Sequence, residues 1–299
     1  MLLKRRNDIL KEFNYLESPP FRVAGSKTPP DETSFIIMEK IKEKPKKESS
    51  EEIGIRKSAK KDEFGLDTES MIKAGLHFGH RASRINPKMK PYILGVRNSI
   101  NIIDPDETIE KMKEVLTFIR EIIAAEKTLL IVGTKIQAKK LIKEVAIDCG
   151  LPYVNERWLG GTFTNFETMR KRIEYYKDLE RKKEAGELEK YTKKERAKIS
   201  EKLKKFIIKF GGVRDLSKLP DAIFVIDMKK DELAVKEARK KGVKVIGVAD
   251  TNVDPTLADY FIPANDDSIP SIKYILDKVS EVIKKAKQET KSNKQEADI

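Results

Sequence analysis

The pattern that most constrains the fold is an alternation of short apolar runs with longer segments of helical periodicity, from residue 99 to about 284. The apolar runs are "SINII" (99–103), "TLLIVG" (128–133), "PYVN" (152–155), "AIFVID" (222–227), "VKVIGVAD" (243–250) and "YFIP" (260–263). Helices are predicted at 105–125, 135–148, 231–241 and from Ser268 onward. Such alternation is typical of an α/β fold with a parallel sheet covered by helices on both faces.

The segment 166–210 interrupts this alternation because it contains no strand candidate. Gly186 is a predicted helix stop, and Thr192 followed by Glu195 is a predicted capping box. We therefore predict an inserted antiparallel helical hairpin, within 165–210, whose two arms meet along a narrow apolar seam. Its 16 basic and 9 acidic residues favour either a solvated hairpin or an arm that follows a phosphate backbone.

The two ends of the chain differ in composition from the middle. Residues 1–65 are rich in Lys, Glu, Ser and Pro and have no apolar periodicity, so we predict a low-complexity, largely disordered leader. The α/β domain is predicted at 66–287, and a flexible tail at 288–299.

The net charge of +13 and the single cysteine limit the classes of function. Excess positive charge favours a polyanionic partner. Cys149 cannot form an intramolecular disulfide, which fits a reducing compartment. No apolar run approaches the roughly 20 residues of a membrane span, and the acids among the first residues are untypical of targeting peptides. We expect a cytoplasmic protein, with an organelle as the alternative.

The segment "HFGHRASRINPKMKPYILGVRN" (77–98), called the cationic strip below, contains no Asp or Glu. It begins with His77 and His80, which have metal-ligand spacing. Zinc sites normally need three or four protein ligands, and the chain has no other histidine, so no metal is predicted. A site completed by carboxylates or RNA phosphates stays open; otherwise the two rings stack, donate hydrogen bonds or pack.

Acidic and amide side chains follow the predicted strands where open α/β sheets place their ligands. They are Asp227, Asp250, Asn252, Asp254, Asp266 and Asp267. One hypothesis is a phospho-acceptor receiver or a magnesium-dependent enzyme, and the favoured alternative is helix capping. The "IVGTK" segment lacks the glycines of a phosphate-binding loop.

The segment "NERWLGGTFTNFETM" (155–169) combines the only tryptophan with a double glycine. Either Trp158 fills the core beside a tight turn, or the turn at Gly160 and Gly161 brings backbone amides and Arg157 against a ligand.

Several long segments resemble the bacterial-type small-subunit ribosomal protein S2 family. They are "MIKAGLHFGHRASRINPKMKPYILGVRNSINIID", "LLIVGTK", "VNERWLGGTFTN", "LPDAIFVIDMKKDELAVKEARKKGVKVIGVADTNVDP" and "IPANDDSIPSI", within about 66–287. The resemblance implies a flavodoxin-like or Rossmann-like α/β domain with an inserted coiled-coil hairpin, and a ribosomal component that is not an enzyme and has no cofactor. It also implies contacts with small-subunit ribosomal RNA and neighbouring proteins and, in bacteria, with the large ribosomal protein number one.

In the light of this resemblance, the cationic strip is the predicted RNA-binding segment, since carboxylates there would repel phosphates. We expect the strip to be irregular and extended, with its cations pointing outward and little base specificity. The candidate RNA-binding residues are Arg81, Arg84, Arg97, Lys88, Lys90, Tyr92, Arg157, Arg170, Lys171 and Arg172. Tyr92 either stacks on a base or packs in the core.

Overall fold

A computed structural model describes residues 63–190 and 192–297, and its centre is a five-stranded, all-parallel sheet. The strands are β4 (Leu129–Val132), β5 (Tyr153–Val154), β6 (Ala222–Val225), β7 (Lys244–Ala249) and β8 (Tyr260–Pro263). Their order in space is β5-β4-β6-β7-β8, which is the flavodoxin-like order 2-1-3-4-5. The predicted α/β fold is confirmed.

Helices cover both faces of this sheet. The helices outside the insertion are α1 (Thr68–Ala74), α2 (Pro105–Ala124), α3 (Ile136–Cys149), α6 (Glu232–Lys240) and α7 (Ile269–Ala297). On one face, α2, α3 and α7 pack on alternate strand residues such as Ile131 and Phe224. On the other, α6 and the inserted hairpin pack on the residues between them, such as Leu130 and Val225. Burial on both faces is why these strands are continuous apolar runs.

The predicted hairpin is also confirmed. Its arms are α4 (Phe166–Glu184) and α5 (Lys193–Phe210), and α5 begins with the expected capping box between Thr192 and Glu195. Gly186 has a φ of +73°, a left-handed conformation that suits the end of the first arm. At the seam, the rings of Tyr176 and Phe206 stack with centroids 4.0 Å apart.

The cationic strip forms part of a small antiparallel sheet, so the prediction that it is irregular is wrong; its two strands are extended, and 3-10 turns separate them. It contains β1 (Phe78–Arg81), 3-10 turns at Ala82–Arg84 and Pro87–Tyr92, and β2 (Ile93–Arg97). Strand β3 (Ile100–Ile103) pairs with both β1 and β2. Two local signals explain the difference. Asn86 caps the second 3-10 turn, and Asn98 and Ser99 both have positive φ, which favours a tight hairpin.

The leader predicted at 1–65 lies almost wholly outside the described residues, which begin at 63. At the other end, α7 continues as a helix to Ala297 through most of the predicted tail. Within the described ranges, the structure contains no helix that is long and apolar enough to cross a membrane.

Candidate nucleic-acid interface and adjoining charge cluster

The carboxyl edge of the parallel sheet brings together charged residues that are far apart in the sequence. Lys135 follows β4 and extends its ammonium group into three carboxylates. Its Nζ lies 3.1 Å from Oδ2 of Asp227, 2.7 Å from Oδ1 of Asp266 and 2.6 Å from Oδ1 of Asp267. The side chains of Lys135, Asp227 and Asp266 are almost fully buried, so their charges depend on one another.

The charges in this cluster shift each other's proton affinity. Burial opposes the charged form of Lys135, but the neighbouring carboxylates outweigh it, so the pKa of the ammonium is raised. Burial, reinforced by the charges of Asp227 and Asp250, raises the pKa of Asp266 to about 7 although Lys135 opposes the shift. The Lys135 ammonium thus offsets the mutual repulsion of the neighbouring carboxylates.

His80 connects the cationic strip to this cluster. Its Nδ1 lies 3.0 Å from Oδ2 of Asp250, and its Nε2 lies 3.4 Å from Oδ2 of Asp267. The interaction with Asp250 raises the pKa of His80, with smaller contributions from Asp266 and Asp267, and partial burial opposes them. The imidazole is therefore held between two carboxylates by both of its nitrogens.

His77 does not take part in the same arrangement. Its side chain is buried, its ring contacts Phe78 with centroids 4.0 Å apart, and burial lowers its pKa. The two histidines of the HxxH spacing thus have different environments, and only His80 approaches acidic groups.

One set of side chains in the described ranges has the geometry to hold a metal ion. Ligand atoms of His80, Asp250, Asp266 and Asp267 all lie within 4.8 Å of one another. However, the ammonium of Lys135 already contacts two of these carboxylates, at 2.7 and 2.6 Å. The chain's own cation therefore competes with a metal for two of the four ligands, and the prediction of no metal stays a prediction.

Some of the acids at the strand ends cap a turn, and others bind Lys135 in the charge cluster. Asp254 caps the 3-10 turn at Pro255–Leu257 by accepting from the amide of Thr256. Asp227 does both, because Oδ1 accepts from the amides of Lys229 and Lys230 while Oδ2 faces Lys135. Asp266 and Asp267 instead use their carboxylates on Lys135. The capping interpretation therefore explains only part of the pattern.

The loop after β7 fixes the cationic strip to the domain. The amide of His80 donates to Oγ1 of Thr251 (2.9 Å), and the amide of Asn86 donates to its carbonyl (2.8 Å). Gly79 permits this approach, because a Cβ there would lie 2.5 Å from Cγ2 of Thr251. The strip is thus docked on a buried loop at the carboxyl edge of the sheet.

The candidate RNA-binding residues of the strip are not equivalent. Arg81, Arg84 and Lys90 are exposed, and their side chains make no ion pair with the described part of the chain. Lys88 is also exposed, but its Nζ lies 2.7 Å from Oδ2 of Asp254. Arg97 is half-buried and has contacts within the protein.

Of the two alternatives for Tyr92, stacking on a base or packing in the core, the structure shows packing. It is half-buried, and its ring meets that of Phe261 edge to face with centroids 5.1 Å apart. The contact orients the ring toward the core of the domain.

The remaining candidates lie on other elements. Arg157 is exposed on the loop before the hairpin, and Arg170, Lys171 and Arg172 are exposed on the first turns of α4. Arg170 places its Nε 3.5 Å from Oε1 of Glu174. These four cations are separate in sequence from the strip and lie on the loop before the hairpin and on its first arm.

Glu237 is a structural anchor that the sequence patterns did not identify. This buried residue of α6 accepts hydrogen bonds from the amides of Gly161 (2.7 Å), Phe163 (3.0 Å) and Thr164 (3.1 Å). These bonds outweigh the effect of burial and lower its pKa. The loop amides therefore do bind a carboxylate, but it is the chain's own, and Trp158 is buried in the core. A glutamate amid the apolar positions of α6 was the available signal.

Comparison with known proteins gives a consistent result. The family model described as ribosomal protein S2 matches residues 71–286. A curated relative, small ribosomal subunit protein uS2 of Coprothermobacter proteolyticus, is 46% identical over 215 residues. That match covers 72% of this chain and 80% of the relative.

Proposed function

The chain belongs to the ribosomal protein S2 family, and on this premise we propose that it binds small-subunit ribosomal RNA through its cationic strip. Family membership indicates a structural role in the small ribosomal subunit, in translation. In this proposal, Arg81 and Arg84 provide the principal contacts with the RNA phosphates, and Lys90 provides a third.

The observation that supports this proposal is the unequal pairing of charges at the carboxyl edge. The acids of the cluster face Lys135 and His80, whereas the guanidinium groups of Arg81 and Arg84 have no acidic partner in residues 63–190 and 192–297. Exposed arginines suit bidentate phosphate contacts, and each neutralised phosphate releases condensed counterions.

We also propose that the protein is not an enzyme. A receiver or magnesium-dependent enzyme would need carboxylates that are open to a phosphoryl group or ion. Here the buried side chains of Asp227 and Asp266 lie 3.1 and 2.7 Å from the Lys135 ammonium. This arrangement favours a scaffold whose charged interior stabilises the strip.

The hairpin and the loop that carries Arg157 provide the remaining contacts in this proposal. Arg157, Arg170, Lys171 and Arg172 contact RNA or neighbouring small-subunit proteins, which in a bacterium include the large ribosomal protein number one. Crosslinking from residues 166–210 in assembled subunits distinguishes an RNA partner from a protein partner. RNA crosslinks support a phosphate-binding arm, and crosslinks to protein alone assign the hairpin to a protein partner.

The test of the principal proposal is a salt titration of RNA binding. The full chain is bound to a fragment of small-subunit ribosomal RNA between about 50 and 200 mM salt, where several phosphate contacts cause a steep loss of affinity. The double variant Arg81→Ala/Arg84→Ala should bind more weakly and reduce the slope by about two. Lys140→Ala, an exposed charge on α3, is the control for a general loss of charge. An unchanged slope in the double variant contradicts the proposal.

A further inference from the structure

A cleft of about 590 Å³ lies beside the cationic strip at the carboxyl edge of the sheet. Its lining includes Arg81, Arg84, His80 and Asp267, with Ile100 of β3 as an apolar residue. This volume falls within the usual range of small-molecule sites and is sufficient for a nucleotide.

The cleft has both unpaired cations and a partly open carboxylate. Arg81 and Arg84 are exposed and make no ion pair within the described ranges. Asp267 is 54% exposed, even though Oδ1 contacts Lys135 and Oδ2 lies 3.4 Å from His80. An ionised carboxylate has about four acceptor positions, so Asp267 can take further donors beside these contacts. A ligand that fits this cleft presents an anion to the arginines and hydrogen-bond donors to the carboxylate.

We propose that the cleft binds one unpaired guanosine nucleotide of the RNA, with its phosphate on Arg81 and Arg84 and its base edge on Asp267. The inference rests on the proposed RNA-binding function and adds base selectivity to it. Proteins commonly read RNA sequence through unstacked bases of loops and bulges.

Guanine is the base that matches the carboxylate. Its N1–H and exocyclic N2–H lie side by side on the Watson–Crick edge and point at the two oxygens of one carboxylate. The amino groups of adenine and cytosine sit beside an acceptor nitrogen, and the N3–H of uracil lies between two carbonyl oxygens. A carboxylate is only an acceptor when ionised, so it repels those acceptors.

The charge distribution also decides which end of the nucleotide enters the cleft. Asp267 lines the cleft and Asp250 lies 3.0 Å from His80, so a phosphate placed beside these residues would be repelled by carboxylates. The phosphate therefore stays with the arginines, and the base takes the inner position.

His80 provides a surface for the base. Both ring nitrogens face carboxylates, at 3.0 Å from Asp250 and 3.4 Å from Asp267, which fixes the plane of the imidazole. The His80 side chain lines the cleft and is 20% exposed, and stacking on such a ring is a common way for proteins to hold an unpaired base.

The two histidines allow a sharp test by NMR of the full chain, since only two imidazole signals are expected. A His80→Gln variant assigns the signals. At constant pH, guanosine monophosphate should shift the His80 signal in a saturable way and leave the buried His77 signal in place. Inosine monophosphate, which lacks the N2 amino group, should bind roughly tenfold more weakly, as expected for losing a hydrogen bond to a charged acceptor.

Adenosine and cytidine monophosphates and inorganic phosphate complete the series. Asp267→Asn should remove the preference for guanosine over inosine, whereas Asp148→Asn, an exposed acid on α3, should preserve it. If all these anions shift His80 equally, the cleft binds phosphate only and the inference is overturned.

Failure of the inference and failure of the proposed function give different results. No His80 response to guanosine monophosphate, with the RNA fragment still bound through Arg81 and Arg84, overturns the guanosine site alone. A lysine-rich peptide that shifts His80 where guanosine monophosphate does not assigns the cleft to a protein partner. Absence of salt-dependent RNA binding contradicts the proposed function itself.

Discussion

The ammonium of Lys88 lies 2.7 Å from Oδ2 of Asp254 and 2.9 Å from Oγ1 of Thr256. The cationic strip has no acid of its own, yet the fold supplies one from another segment. This contact lowers the pKa of Asp254 and neutralises one of the strip's lysines before any RNA is bound.

The first prediction compares Lys88→Ala with Lys90→Ala. Lys90 is exposed and unpaired within the described ranges, so its removal should reduce the salt slope of RNA binding by about one. Lys88→Ala should change the slope less, because Lys88 already has a carboxylate partner. Binding titrations at several salt concentrations measure both, and equal slopes for the two variants would contradict this prediction.

The second prediction is that the two histidines titrate in opposite directions from the ordinary pKa of 6.5. Asp250 raises the pKa of His80, so the stability it contributes is present below pH 6.5 and is lost as pH rises through its folded pKa. Burial lowers the pKa of His77, so protonating it costs stability as pH falls below 6.5.

An NMR titration of the two imidazole signals measures both pKa values directly. The variant Asp250→Asn should lower the pKa of His80 and leave that of His77 unchanged. A His80 signal that titrates at or below the ordinary value would show that the contact with Asp250 does not hold the proton.

The third prediction concerns Lys135→Met, which removes the cation from its carboxylates. Breaking a buried ion pair leaves uncompensated charge, so the free energy of unfolding should fall by about 3–5 kcal/mol at pH 8. The loss should be smaller at pH 5, because Asp266, whose pKa is already raised to about 7, is protonated there and no longer repels its neighbours.

Urea denaturation at the two pH values tests this dependence. Lys140→Ala is the matched control, since that lysine lies on α3 with an 88% exposed side chain. A loss of stability that is the same at both pH values would indicate lost packing around the aliphatic stem instead of unpaired charge.

The fourth prediction concerns Glu237→Gln. The carboxylate accepts from three loop amides, and the glutamine amide would turn an N–H group toward some of these donors. The expected cost is about 1–3 kcal/mol in the free energy of unfolding, since buried donors lose their acceptor. Glu232→Gln, on the exposed face of α6, should be nearly neutral.

Hydrogen exchange of the loop amides distinguishes an anchor from a general packing effect. Amides of Gly161, Phe163 and Thr164 should exchange faster in Glu237→Gln while those of β6 stay protected. The Glu237 contribution should also weaken in acid: its lowered pKa means that its stability is present above the ordinary value of 4.5 and lost as pH falls through the folded pKa.

The sequence was informative where the determining contacts are local. The parallel-sheet fold followed from apolar runs such as "LLIV", and the hairpin from Gly186 and the Thr192–Glu195 capping box. These signals depend on residues a few positions apart, so they can be read along the chain. The same local chemistry at Asn86, Asn98 and Ser99 opposed the expectation of an irregular strip.

Tertiary structure alone decided which charges meet. Lys135 and Asp266 are 131 positions apart, and they come into contact because β4 and β8 are parallel and end at the same edge of one sheet. No linear pattern specifies that Lys88 faces Asp254, or that Glu237 faces the loop amides. The sequence by itself therefore determined the elements and their order, since these depend on local periodicity and capping. The pairing of charges, and with it the arginines left for RNA, depends on the long-range packing of the sheet.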